Sequence, residues 1–333
     1  MPTRIGLIGA GNISATHARA IAAIPDTTVV GVFGPTPARA QALAGASGAR
    51  AYAAVESLLD AERPDVVVIG TPSGLHGAHG AAAADRGVHV LVEKPIEISV
   101  ARADALIARA CSAGVTLGVI FQDRVKPDVR ALKALVESGE LGPVSLVHAQ
   151  VPWWRPPEYY AASRWRGTWA LDGGGALMNQ GIHTVDLMVW LFGPVARVSG
   201  AIATRFHAIE VEDTAAAVLE FASGAIGTIQ ATTCAFPGRP RRIEIAGPKG
   251  TAILEGDSLI QGGAGIVAAP ENAASPVVSD ASAHRDVIAD FIQALRTGTP
   301  PCCDGATGRR SVQLVEAVYH SSRTGRAVDL LQG

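Results

Sequence analysis

Cysteine is scarce in this 333-residue chain: there are four, Cys111, Cys234, Cys302 and Cys303. Their spacing fits neither a zinc knuckle nor a disulfide framework, and the adjacent Cys302–Cys303 pair lacks the two-residue gap of a redox motif. No metal site is expected. Charge is sparse too: charged residues make up 17 %, the formal net charge is −2, and no run of Lys or Arg stands out. That argues against a nucleic-acid-binding surface. No stretch of about 18 charge-free apolar residues occurs, so no membrane span is expected. The start, Met1-Pro2-Thr3-Arg4-Ile5, passes straight into a β-like run without the charged and apolar regions of a secretory signal, and the expected location is the cytoplasm.

What is present is apolar residue, 48 % of the chain. That is enough for two cores, and the length suggests about two domains. Over residues 1–122, short apolar runs alternate with helical segments. The runs Ile5–Gly9, Thr28–Phe33, Asp65–Gly70, Val88–Val92 and Val115–Ile120 are apolar on both faces, as parallel strands covered by helices must be. Helices are predicted over Ala15–Ile24, Pro37–Ala44, Gly77–Arg86 and Ala101–Ala113. From residue 123 to 333 the pattern changes. A helix is predicted at Pro127–Ser138. Val144–Val151, Val195–Thr204, Ala215–Phe221 and Ala225–Thr233 alternate with period two, as strands with one buried face do. Ala176–Phe192 reads as one long helix, and Asp257–Ser282, rich in Gly, Ala and Pro, as loop. Two helices close the chain. The first sets Val287, Ile288, Phe291, Ile292 and Leu295 on one face, and the second covers Gly308–Arg323. The expected class is α/β: a doubly wound parallel Rossmann sheet, then an α+β domain with an open, largely antiparallel sheet. The closing helices are free to pack back on the first domain.

Gly9-Ala10-Gly11-Asn12-Ile13-Ser14 lies between the first strand and its helix. It matches the dinucleotide fingerprint except for Ser14 in place of the third glycine. Gly9 allows the tight turn. Gly11 lets a pyrophosphate approach the backbone, where the N–H groups of Asn12 and Ile13 open the helix. The end of the second strand, Phe33-Gly34-Pro35-Thr36-Pro37-Ala38-Arg39, has no acid to bond a ribose 2′-hydroxyl. Thr36 and Pro37 suit a helix start, and Arg39 sits one turn in. The expected cofactor is NAD(P), with the balance tipped slightly to NADP.

Glu93-Lys94-Pro95 follows the strand Val88–Val92, and a lysine there points to the ligand crevice. In the later half, three consecutive glycines, Gly173 to Gly175, precede Asn179, His183 and Asp186. Asn179 and His183 are four apart and would share a helix face. With Gly9-x-Gly11, Thr71-Pro72 and His76, and a closing Ala317–Val328 segment holding Ser321-Ser322 and Thr324-Gly325-Arg326, these motifs make the chain resemble the Gfo/Idh/MocA oxidoreductases. The resemblance spans nearly the whole length.

It implies hydride exchange with a sugar, cyclitol or related hydroxyl. Lys94 would bind the reacting oxygen and His183 would carry the proton, since a neutral imidazole accepts one near pH 7. Many members have Asp four residues before that histidine; this chain has Asn179, which can hydrogen-bond a substrate hydroxyl but carries no charge. The alternative for His183 is a core histidine bonded to Asp186. Thr71, Pro72, His76, Glu93, Lys94, Gln122, Trp165 and Arg166 would face the cofactor. The resemblance also implies a homodimer or homotetramer assembled through the second sheet.

Four of the five tryptophans fall between Trp153 and Trp169. Aromatic faces stack on sugar C–H surfaces, and Arg binds hydroxyl, carboxylate or phosphate oxygens. Arg124, Trp153, Arg155, Tyr159 and Asp172, with Lys94, Asn179 and His183, are therefore the candidate substrate contacts. The same aromatics would suit subunit packing. No Tyr-x-x-x-Lys pair occurs, which disfavours a short-chain dehydrogenase. Two further readings share the fold: an NAD-dependent glycosidase, which would release sugar with no net cofactor reduction, and a non-enzymatic dinucleotide sensor, in which Lys94 would be dispensable.

Overall fold

The computed structural model describes residues 1–263, 265–266 and 280–331. They fold into two compact units. The first holds Met1–Gln122 and the described residues from 280 to 309. Its elements are β1 (Thr3–Ile8), α1 (Asn12–Ala22), β2 (Thr27–Phe33), α2 (Pro37–Ser47), β3 (Arg50–Tyr52), α3 (Val55–Glu62), β4 (Val66–Ile69), α4 (His76–Ala84), β5 (His89–Glu93), α5 (Val100–Ser112) and β6 (Leu117–Ile120). The strands form one sheet in the order β3-β2-β1-β4-β5-β6, parallel at every pairing. This is the Rossmann order, which places ligands at the carboxyl ends of the strands. All four residues of β4 and all four of β6 are buried, as a sheet covered on both faces requires.

The second unit holds the described residues from 123 to 266 and from 310 to 331. It contains α6 (Pro127–Glu137), β7 (Leu146–Pro152), α7 (Pro157–Ala161), α8 (Ile182–Phe192), β8 (Val195–Ala203), β9 (Thr214–Phe221), β10 (Ile226–Thr232), β11 (Arg242–Gly247), β12 (Gly250–Glu255), β13 (Ser258–Gly263) and β14 (Gly265–Ile266). Later in the chain come α9 (Ser282–Thr297) in the first unit, α10 (Gly305–Thr324), and β15 (Val328–Asp329) in the second. The second sheet runs β14-β13-β12-β11-β7-β10-β9-β8-β15. Among the described residues its pairings are antiparallel except β7 with β10. Burial along β9 alternates residue by residue, the mark of a sheet with one covered face.

The architecture expected from periodicity is present, and four local expectations need correction. A sixth parallel strand exists, β3, only three residues long and exposed at Arg50 and Ala51; an edge strand this short carries no apolar run. The helix α3 after it is also not among the predicted elements. The Ala176–Phe192 helix is broken: Ala176–Gln180 forms a π-helical turn, and α8 starts only at Ile182. Within the segment read as loop, Ser258–Gly263 and Gly265–Ile266 are strands; residues 264 and 267–279 lie outside the described residues. The β11–β12 hairpin, turning at Gly247-Pro248-Lys249-Gly250, is a further element that periodicity does not announce.

The apolar face of α9 is buried through Val287, Ile288, Phe291 and Ile292. Phe291, 1 % exposed, lies against Gly118 of β6, where a Cβ would come 2.6 Å from the ring. The missing side chain of Gly118 thus makes room for the aromatic one. Phe291→Ala should lower the stability of this unit by about 3–5 kcal/mol. Chemical denaturation with the mutant and parent side by side measures it; a loss below about 1 kcal/mol would show that this helix is not part of the unit's core.

Candidate active site

Gly9 sits at φ +129°, and a Cβ there would stand 2.7 Å from the carbonyl oxygen of Gly70 and 2.9 Å from Ser14 Oγ. Only glycine lets the end of β1 pass this close to the end of β4. At Gly11 a Cβ would meet nothing within 4 Å; the turn is open on that side. Asn12, Ile13 and Ser14 begin α1, so their N–H groups have no carbonyl partner within the helix. Ser14 is 1 % exposed and packs toward Gly70, doing the close-packing work of the missing third glycine.

Three buried polar atoms at this edge have no hydrogen-bond partner among the described residues: Ser14 Oγ, Thr71 Oγ1 and Gln122 Oε1. They follow β1, β4 and β6, where a parallel sheet presents ligand contacts. Open space at Gly11, unmatched N–H groups and orphaned oxygens together fit a dinucleotide. Thr36 and Arg39 are exposed at the start of α2. Arg39 makes no ion pair among the described residues.

His76 is 1 % exposed and staples two turns together. Its Nδ1 lies 2.8 Å from the carbonyl oxygen of Pro95, and its Nε2 lies 3.0 Å from that of Thr71. Burial pushes its pKa down. The ring ties the Thr71-Pro72 turn to the Lys94-Pro95 turn. Glu93 is also buried. Its Oε1 lies 2.9 Å from His17 Nε2 on α1 and 3.8 Å from His284 Nε2 on α9. Its Oε2 accepts the N–H of Lys94 at 3.1 Å. The ligating atoms of His17, Glu93 and His284 stand within 4.8 Å of one another. We read the three as an anchor for the Lys94 backbone, with His17 hydrogen-bonded to Glu93 and His284 at ion-pair distance, since both oxygens of Glu93 already have partners. Lys94 itself is partly exposed at the carboxyl end of β5.

In the second unit, Gly175 lies where a Cβ would come 1.9 Å from the Glu212 carbonyl oxygen. This contact fixes the start of the π-turn. The Glu212 carboxylate accepts N–H bonds from Gly175 and Leu177 and the hydroxyl of Tyr319. Nothing local in the sequence announces Glu212 or Tyr319. The π-turn separates Asn179 from His183. Asn179 donates from Nδ2 to Asp172 Oδ1 at 2.5 Å, and its Oδ1 accepts from Gln180. Gln180 donates to the Tyr159 hydroxyl and accepts from Arg155. Tyr159 is flanked by two guanidinium groups, Arg155 at 5.3 Å and Arg166 at 4.4 Å from its ring centre. Trp153 lies under Arg155 at 5.2 Å and Trp165 under Arg166 at 5.3 Å. Trp153, Arg155, Tyr159, Trp165, Arg166, Asp172 and Asn179 therefore form one network, joined by Gln180, which no sequence motif singles out. Asp172 is 1 % exposed and also accepts the Gly167 N–H; it orders the loop from inside.

His183 turns elsewhere. Its Nδ1 lies 3.8 Å from Asp123 Oδ2. Asp186 makes a two-pronged bond to Arg124, at 2.7 and 2.5 Å, and accepts the Ser311 hydroxyl. Arg124 is one of the expected substrate contacts. It is 3 % exposed and its guanidinium faces this buried carboxylate. Asp123, outside every motif of the sequence, is held by Arg241 and by Lys126. Burial alone would raise its pKa, but Arg241, His183 and Lys126 hold it far below the usual carboxylate range.

Burial would also raise Glu93, yet His17, His284 and Lys94 bring its pKa down from 4.5 to about 2. A carboxyl depressed on folding stabilises the fold above its unfolded pKa and loses that contribution as pH falls through the folded value. The chain should therefore lose stability between about pH 4.5 and about 2 through this group. In Glu93→Gln this share of the slope should vanish. Denaturant midpoints across that range for both proteins give the answer; parallel curves would mean Glu93 is not the group being titrated.

Two family models match the chain. The oxidoreductase-family NAD-binding Rossmann fold covers residues 3–121, and the GFO/IDH/MocA C-terminal domain covers residues 129–253. Inositol 2-dehydrogenase of Rhizobium meliloti is 28 % identical over 99 % of this chain and all of that enzyme. D-apiose dehydrogenase of Paraburkholderia graminis is 29 % identical over 97 % of this chain and 88 % of that enzyme. The WlbA dehydrogenase of Bordetella pertussis, solved in complex with NADH and UDP-GlcNAcA, superposes with a TM-score of 0.91 at 35 % identity, covering all of both chains.

Proposed function

The chain belongs to the Gfo/Idh/MocA family of oxidoreductases, and from that membership we propose that it moves hydride between NAD(P) and a hydroxyl or keto carbon of a sugar, cyclitol or sugar derivative. The observation that carries this reading is Lys94 at the carboxyl end of a parallel strand, its backbone anchored by a buried glutamate. When bound, the nicotinamide supplies the hydride acceptor or donor. Lys94 stabilises the negative charge that develops on the substrate oxygen. Neutral His183 takes the hydroxyl proton during oxidation and returns it during reduction. Asn179, held between Asp172 and Gln180, positions a substrate hydroxyl, and the Arg155–Tyr159–Arg166 stack offers cationic and aromatic surface to the rest of the ligand.

Lys94→Ala and His183→Ala should each lower kcat/KM by about 10²–10⁴, with cofactor affinity little changed. The assay follows reduced-cofactor absorbance over a panel of sugars, inositols, uronates and nucleotide-linked uronates. Turnover by either variant at the parent rate would sink the assigned role. Failure of the parent on every member, in both directions and despite tight cofactor binding, would sink the reaction.

The acid-free end of β2 supports a slight preference for NADP over NAD. A 2′-phosphate there would meet the start of α2 and the exposed Arg39. Arg39→Ala should then raise KM for NADP several-fold while leaving KM for NAD nearly unchanged. Equal effects on the two cofactors would reject this.

A further inference from the structure

We propose that Asp123 is the positioning residue for His183, supplying from outside its helix the negative charge that tunes the imidazole as a proton carrier. The inference rests on the reading of His183 given above. Asp123 Oδ2 stands 3.8 Å from His183 Nδ1. Behind Asp123 lie Arg241 and Lys126, and both reach on to Asp257. On α8 itself Asp186 is matched by Arg124. Four residues before His183 stands Asn179, neutral and bonded to Asp172.

The geometry makes Asp123 suited to this role in two ways. It is 5 % exposed, so water screens its charge little. It is also fixed, since Lys126 Nζ lies 2.6 Å from Oδ1 while Arg241 bonds Oδ2. A carboxylate so placed favours, through its charge across 3.8 Å, protonation of the facing imidazole and the tautomer that keeps its proton on Nδ1. Nε2 is then left as the atom that exchanges a proton. During oxidation the substrate hydroxyl proton passes to Nε2 and the ring becomes imidazolium; Asp123 stays ionised throughout. On reduction the same proton returns to the alkoxide oxygen.

The experiment compares the parent with Asp123→Asn, Asp123→Glu and Asp257→Asn. In Asp123→Asn the acid limb of the kcat/KM profile should move down by about one pH unit, with kcat at the plateau reduced and KM for substrate changed less. Asp123→Glu, which restores the charge, should bring the limb most of the way back. Asp257→Asn removes an equal charge from the same network without removing the carboxylate that faces His183, and its limb should stay in place. A limb that does not move in Asp123→Asn, or moves as far in Asp257→Asn, overturns the proposal. A readout free of turnover is the His183 imidazole pKa from heteronuclear NMR of the parent. It should exceed the unperturbed value of about 6.5, and a value at or below that overturns the proposal even where Asp123→Asn does not fold. If His183→Ala keeps parental activity, the proton-carrier reading fails; if it is inactive while Asp123→Asn keeps the parental limb, only the Asp123 proposal fails.

Discussion

A carboxylate taken out of water costs several kcal/mol unless charge or donors meet it, and this chain buries carboxylates beside nearly every residue assigned to its chemistry. Glu93 lies before Lys94 and accepts its N–H. Glu97 accepts the N–H of Gly77, next to the His76 staple, and pairs with Arg102. Asp123 faces His183. Glu212 pins the π-turn that carries Asn179. Each buried charge constrains the partners around it, because any movement that loses a partner leaves the charge unmatched. Such pairs are weak evidence for stability. Their value here is positional: the functional side chain stands next to a group that tolerates only one arrangement.

These carboxylates are matched by different means, and the means set their charge. Two imidazoles and a backbone N–H meet Glu93, bringing its pKa to about 2 despite burial. Two cations meet Asp123, which is held far below the usual range. Glu212 has only neutral donors, two backbone N–H groups and the Tyr319 hydroxyl, and burial pushes its pKa up. Carboxyls met by cations or imidazoles are thus held ionised. The one met only by neutral dipoles is pushed toward its protonated form. This contrast separates Asp123 from Glu212, although both are almost fully buried.

The periodic elements were legible in the sequence because burial on one or both faces imposes a repeat that survives without coordinates. The all-apolar β4 and the alternating β9 carry that repeat plainly. Short elements do not: β3 is three residues at an edge, and the π-turn Ala176–Gln180 keeps the apolar spacing of a helix while rotating its residues differently. The dinucleotide turn was legible because its glycines answer a local steric demand. Gly9 would clash with Gly70 if it bore a side chain, and Gly11 opens onto free space. Buried staples were not legible. His76, Arg124 and Asp172 carry the residue types of ligand contacts, and no sequence motif shows that they are buried and bonded to the protein's own backbone and carboxylates.

Helix spacing pointed to Asn179 and Asp186 as the neighbours that would set the character of His183. The fold gives both of them to other partners, Asp172 and Arg124. The facing carboxylate comes instead from Asp123, ahead of α6, and its counter-charges come from Lys126, from Arg241 just before β11, and through them Asp257 in the turn between β12 and β13. Lys94 depends on the residue beside it in sequence, whereas His183 depends on groups that only the assembled second sheet brings together. A change in the hairpin β11–β12 or its flanks therefore reaches the surroundings of His183 without touching any residue of the local motif. For the same reason, the neutral side chain at Asn179 does not leave His183 without a negative neighbour: the charge is supplied by tertiary structure, and Asn179 is bonded to Asp172 and Gln180 instead.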